Sequence, residues 1–221
     1  MHLGIHTSPQ LSGRKLTLLV PLGATEQHGP HLPLDTDTRI AVAVADGVAG
    51  RLDDVAVGPP IAIGASGEHE GFAGTLSIGT QVLADLLVEL VRTAGPEFAR
   101  IVVINAHGGN AYALRAASAT CTEEGRALEV WSVRVAGADA HAGRTETSLM
   151  LHLAPELVDL PSAVAGNTEP LTELLPEMIE SGVRGVSPSG VLGDPAGASA
   201  EEGGALLASL VDDAAARIDV R

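Results

Sequence analysis

At 221 residues, 45% of them apolar, the chain can bury one substantial core and reads as a single domain over 1–221. Aromatic residues make up only 2%, so that core falls to Ala, Val, Leu and Ile, a composition suited to helices packed on a mainly parallel sheet. The net charge of −15, with 28 acidic against 13 basic residues, argues against nucleic acid and anionic membrane as partners.

Cys121 is the only cysteine, so no disulfide forms within the chain, and a reducing cytoplasm fits. No leader-like apolar run precedes the first strand, and no segment is long and apolar enough for a membrane helix. Neither repeats nor heptads occur.

Residues 1–14 read as a polar arm with His2 and His6 in solvent. The first strand covers Leu16–Leu22 and breaks at Gly23. The polar loop that follows holds Glu26, His28, His31 and Asp37, with Asp35 as a further acid. Glu26 and His28 are two apart, so in extended chain they share a face. A carboxylate and an imidazole converging on one point suit Zn, Fe or Mn. Asp37 returns after two prolines and has two oxygens, enough to bridge two metals. The plainer reading is a solvated loop with Thr36 or Asp37 capping a helix over Thr38–Leu52.

A second strand over Val55–Ile63 is interrupted by Pro59 and Pro60. The Gly64–Ile78 loop carries the polar tip Glu68-His69-Glu70, which on composition alone is a solvated turn. Thr80–Ala99 reads as an amphipathic helix, and Arg100–Asn105 as a buried strand running into Ala106-His107-Gly108-Gly109-Asn110. There His107 stands at a sheet edge as ligand or base. The backbone N–H groups of Gly108 and Gly109 are available to an anion or a carbonyl oxygen. Asn110 caps a helix to Glu124, with Cys121 in its core face. A strand over Leu128–Val135, with Trp131, leads into a loop holding His141 and then Glu146 ahead of a helix over Thr147–Leu153. At that position Glu146 is otherwise a charge favoured by the helix dipole. His152 reads as structural. A short helix over Thr172–Glu180, a Gly/Pro/Ser-rich segment over Val183–Ala198 and a closing helix over Glu201–Ile218 complete the chain.

Three of these stretches resemble, in order, the signatures of the creatininase family of metal-dependent amidohydrolases. They are Glu26-Gln27-His28-Gly29-Pro30-His31-Leu32-Pro33 closed by Asp37, then Ala106-His107-Gly108-Gly109-Asn110, then His141-Ala142-Gly143-Arg144-Thr145-Glu146-Thr147-Ser148. The Gly64–Ile78 loop is similar to the family's His-x-x-Phe-Pro-Gly-Thr segment, with Ala73 where Pro is common. The resemblance implies an α/β, three-layer fold with a parallel sheet flanked by helices on both faces, and two divalent metal ions per subunit. It implies Glu26, His28, Asp37, His107 and Glu146 as ligands, His141 and Glu146 as catalytic groups, and His69, Gly108 and Gly109 facing substrate. It also implies a homo-oligomer, since family members form rings. One departure matters. In creatininases proper the residue two after the second-signature His is a glutamate, and here it is Gly109. Glu146 is the expected replacement, with Glu68, Glu70 and Asp35 as rivals.

The implied reaction is hydrolysis of an amide-type C–N bond. The short chain, the Gly-Glu-His-Glu-Gly-Phe tip and Gly109 look most like the mycofactocin branch, whose members release the C-terminal Val-Tyr dipeptide from a modified precursor peptide. A hydrolase of small cyclic amides or formamides, and a non-catalytic metal-binding subunit, are the competing expectations.

Overall fold

Four apolar runs pair into one sheet: β1 (Thr17–Leu22), β2 (Val55–Val57), β3 (Arg100–Asn105) and β4 (Glu129–Ser132), in the order β2-β1-β3-β4 and parallel throughout. The computed structural model that carries it describes residues 1–219. Parallel neighbours need crossovers. After the single turn α1 (Ser8–Leu11), these are α2 (Thr36–Ala49), α3 (Thr80–Ala94) and α4 (Ala111–Glu123). Beyond the sheet come α5 (Arg144–Leu153), α6 (Leu171–Val186) and α7 (Ala200–Asp219).

Successive strand residues face opposite ways, and the sequence uses both faces. Leu18, Val20 and Leu22 pack with Ile101 and Val103 against α3 and α4. Leu19, Val102 and Ile104 pack on the other side against α2 and α7. The layers are therefore helix, sheet, helix, as the buried-looking strands imply. Among the described residues, no helix is long and apolar enough to cross a membrane.

Several boundaries shift for local reasons. The second strand pairs only over Val55–Val57. Pro59 and Pro60 have no N–H to donate, and beyond them only a lone bridge joins Ile61 to Leu22. Helix α3 stops at Ala94, where Gly95 and Pro96 intervene, and the strand expected to reach Val135 ends at Ser132. Helix α2 starts at Thr36 with Asp35 at the N-cap, but the Asp35 carboxylate pairs with Arg39 at 2.8 Å instead of capping. Helix α5 starts at Arg144, which draws Glu146 into its first turn. The short helix expected over 172–180 is the longer α6, kinked where Gly182 adopts φ 69°. The N-terminal arm is tied down: the Met1 ammonium donates to the Val55 carbonyl at 2.9 Å, and Val57 N–H donates to the Met1 carbonyl at 2.7 Å. Cys121 is buried in the core. His152 lies against Gly203 and Gly204, whose missing side chains let α5 and α7 approach.

Candidate metal centre

β1 and β3 end side by side, Leu22 opposite Asn105, so the loops that follow open at the carboxyl edge of the sheet. At Gly23 a Cβ would overlap the backbone of Thr38, so only glycine lets the loop leave β1 this close to α2. Asn110 binds the corner together. It is at the N-cap position of α4, yet its side chain caps nothing. It donates to the Gly23 carbonyl and to Asn105 Oδ1, both at 3.0 Å, and accepts from Ala65 N–H at 2.9 Å.

These loops bring four histidines and four carboxylates around one cavity. Glu26 and His28 are fully buried, and Asp37, His69, His107 and His141 are buried. His28 Nδ1 donates to the Glu26 carbonyl at 3.1 Å, which turns Nε2 toward Asp37 Oδ1 at 3.1 Å and Glu146 Oε2 at 3.9 Å. His107 faces Glu26 Oε2 at 3.2 Å through Nε2 and Asp37 Oδ2 at 3.4 Å through Nδ1. The two oxygens of Asp37 thus point at different histidines. Glu146 also accepts the Ala142 N–H at 2.6 Å. Ala142 adopts φ 52°, a left-handed conformation unusual for a residue with a side chain.

The electrostatics are those of a site that demands positive charge. Burial disfavours a charged His28, but Asp37, helped by Glu146 and Glu26, overrides it and raises the imidazole to about 10. Burial likewise opposes a cationic His107, and Glu26 and Asp37 hold it well above the usual histidine range. Burial pushes Glu26 up, while His107 brings it down to about 2. Asp37 is driven far below its ordinary value: burial opposes this, and His28 and His107 together override it. Even so, both Glu26 carboxylate oxygens and Asp37 Oδ2 are buried with no hydrogen-bond partner. Orphaned buried carboxylate oxygens are costly unless a cation meets them. Among the described residues, three overlapping sets present donor atoms within 4.8 Å of one another: Glu26/His28/Asp37, His28/His141/Glu146 and Glu26/His69/His141. This mixture of imidazole and carboxylate suits a borderline divalent ion.

The remaining expected residues divide. His69 Nε2 lies 3.3 Å from Glu26 Oε1, and burial pulls its basicity down to about 3. His141 Nε2 donates to the Gln27 carbonyl at 2.7 Å, leaving Nδ1 toward Glu26 Oε1 at 3.8 Å. Burial, with His28 adding to it, lowers its basicity. The Gly/Pro/Ser-rich segment holds it: Leu192 N–H donates to the His141 carbonyl at 2.8 Å, and His141 N–H donates back at 3.1 Å. Gly108 borders open space, whereas Gly109 is packed against Glu68. Asp35 is outside the centre. His31 is buried but turned to Thr147, whose Oγ1 is 2.9 Å from Nε2.

Two residues gain a place that their sequence context did not give them. Gln27 accepts Gly29 N–H at 2.8 Å through Oε1, which aims Nε2 at His69 Nδ1, 2.8 Å away, and at the Gly190 carbonyl, 3.1 Å away. No local pattern signals this, because its partners are far along the chain. Glu68 is not on a loose tip. It sits in the 3-10 turn Gly67–His69 with Oε1 3.4 Å from His107 Nε2. Burial raises its carboxyl, and Glu26 and Asp37 add to this against His107. Glu70 is exposed.

The cavity has a volume of about 1000 Å³, with apolar Leu171, Leu175, Met178 and Ile179 of α6 among its lining and Tyr112 of α4 also present. Among the described residues, its lining includes six acidic side chains in addition to Glu26 and no Lys or Arg: Asp37, Glu68, Glu70, Asp139, Glu146 and Glu180.

Comparison with known proteins places the chain in a family and matches its fold. Residues 6–218 match the family model described as creatinine amidohydrolase. A mycofactocin precursor peptide peptidase from Mycobacterium ulcerans (strain Agy99) is 53% identical over 98% of this chain and 90% of its own length. A mutant creatininase superimposes with a TM-score of 0.81 at 27% identity, covering 98% of this chain and 97% of that one. Two further creatininase structures, 25% and 26% identical with a TM-score of 0.78 and covering 98% of this chain and 96% of each, are described as a Zn-Zn type and a Mn form. The chain belongs to the creatininase family.

Proposed function

We propose that this chain is a divalent-metal-dependent amidohydrolase that works as a peptidase, releasing the C-terminal Val-Tyr dipeptide from a modified mycofactocin precursor peptide. The observation that carries the reading is the buried cluster of histidines and orphaned carboxylate oxygens at the base of a cavity of about 1000 Å³. That volume is at the upper end for small-molecule sites and suits a peptide end better than a single small ring. The similarity to the M. ulcerans peptidase supports the choice of substrate.

Two divalent ions, of the Zn, Fe or Mn kind, would be held by Glu26, Asp37 and His107 on one side and by His28, Asp37 and Glu146 on the other. Bound there, they would supply Lewis acidity and a water acidic enough to attack at neutral pH. The protein's own groups do the rest. Asp37 spans the two sides through its two oxygens. His141, with Nε2–H committed to the Gln27 carbonyl, keeps Nδ1 free to take a proton and pass it to the leaving nitrogen. His69, Gly108 and Gly109 line the approach of the substrate. The apolar wall of α6 and Tyr112 accept aliphatic and aromatic side chains such as Val and Tyr.

A homo-oligomer is part of the reading, supported by exposed Ile5 and Val82 at 79% and 53%. A cytoplasmic setting is supported by the free Cys121. The test is to incubate the metal-loaded protein with the modified peptide, creatinine and a formamide in parallel. Loss of the mass of one Val-Tyr unit is expected. Turnover of only the small amides would overturn the peptidase reading.

A further inference from the structure

The position that carries a glutamate in creatininases proper is Gly109 here, and the structure shows what occupies its space. A Cβ at Gly109 would fall inside the van der Waals shells of Glu68 Oε1, His107 Nε2 and the Ala65 carbonyl oxygen. The Glu68 carboxylate therefore fills the volume that a side chain at 109 would enter, 3.4 Å from His107 Nε2. It arrives from a different loop.

The placement of Glu68 is specifically built. Its 3-10 turn is closed by His69 N–H and Glu70 N–H donating to the Ser66 and Gly67 carbonyls, each at 3.1 Å. Ser66 N–H is anchored on Ser77 Oγ at 2.9 Å. The kink of α6 packs on the Glu68 backbone. There Gly182 has φ 69°, and a Cβ would come within 2.9 Å of the Glu68 carbonyl oxygen. Arg184, two residues on, donates to the Gly71 carbonyl at 2.9 Å. Two glycines thus clear the space around Glu68, one for its carboxylate and one for its carbonyl.

Glu146 does not compete for this place. It reaches His28, and Asp37 lies between His28 and His107. We propose that Glu68 is a ligand of the metal held by Glu26, Asp37 and His107, and that it replaces the family's glutamate from across the cavity. The inference rests on the metal-hydrolase reading above. It also balances charge: Glu26, Asp37, Glu68 and Glu146 are four carboxylates against two dications. Without Glu68, three carboxylates would face two dications and leave one positive charge unmatched in a partly buried site.

The test separates charge from shape at position 68. Metal content after dialysis and metal affinity by thermal shift are measured for wild type, Glu68→Gln, Glu68→Gly and Glu68→Asp. Glu68→Gln is close to isosteric, so its fold is retained. It is expected to bind one metal equivalent at least about 10- to 100-fold more weakly. Glu68→Asp is expected to bind that equivalent more tightly than Glu68→Gly does, because it keeps a carboxylate on the same turn. Wild-type affinity for both equivalents in Glu68→Gln would overturn the inference, as would a Glu68→Asp variant no better than Glu68→Gly. Neither result would touch the peptidase reading, which fails instead if the wild-type protein holds no divalent metal or leaves the peptide intact.

Discussion

Asp37 and His28 form a buried pair, with Oδ1 of the one 3.1 Å from Nε2 of the other and side-chain exposures of 2% and 0%. Because the second oxygen of Asp37 faces His107, removing this one carboxylate opens both halves of the centre. Asp37→Ala is expected to lose both metals, and His107→Ala mainly one. Elemental analysis decides it, and two full equivalents in Asp37→Ala would count against a bridging role.

Glu146 and His141 should separate metal binding from proton transfer. Glu146→Gln keeps size and removes the charge beside His28, so metal affinity and turnover should fall together. In His141→Ala both metals should stay while the rate drops by about 10²- to 10⁴-fold. Equal metal loss in the two variants would contradict this division.

His31 should matter for folding only. It is 1% exposed and bonded to Thr147 on α5, which pins the first loop to a helix more than a hundred residues away in sequence. His31→Ala leaves a cavity and an unpaired hydroxyl, a loss of about 2–4 kcal/mol. The melting temperature should fall by several degrees while metal stoichiometry after reconstitution stays at the wild-type value. A drop in stoichiometry would make His31 a ligand.

Trp131 offers a probe of the other layer. Its Nε1–H donates to Asp213 Oδ2 at 2.8 Å and ties β4 to α7. This bond holds the Asp213 carboxyl below its ordinary value, against a smaller opposing effect of burial. A carboxyl lowered on folding stabilises above its unfolded pKa, about 3.9, and that contribution is lost as pH falls through the folded value. Asp213 is about half exposed, so Asp213→Ala should cost only about 1 kcal/mol at pH 7. The difference from wild type should shrink below pH 4. Tryptophan-monitored unfolding at both pH values reads it directly, and a difference that grew in acid would have the wrong sign.

The elements were legible from sequence because their causes are local. Continuous apolar runs in Leu18–Leu22 and Ile101–Ile104 meet helices on two faces, and β1 ends where Gly23 opens the loop. Those rules also place Glu26, His28, His107, His141 and Glu146 in loops at one sheet edge or just beyond it. What local pattern does not contain is the partner of each side chain. His31 stood beside Asp37 among the first loop's possible ligands and Asp35 was a further acid, yet packing gives Asp35 to Arg39 and His31 to Thr147. Gln27 has no periodic or motif signal for its contacts with His69 and Gly190, because they depend on how three distant loops meet. Gly109 announced a missing carboxylate, but only tertiary packing shows that Glu68 fills its space. Backbone periodicity and turn chemistry act over a few residues. Side-chain partnership in a buried site is settled by close packing between segments 40 to more than 100 residues apart, such as Gln27 with His69, His141 and Gly190.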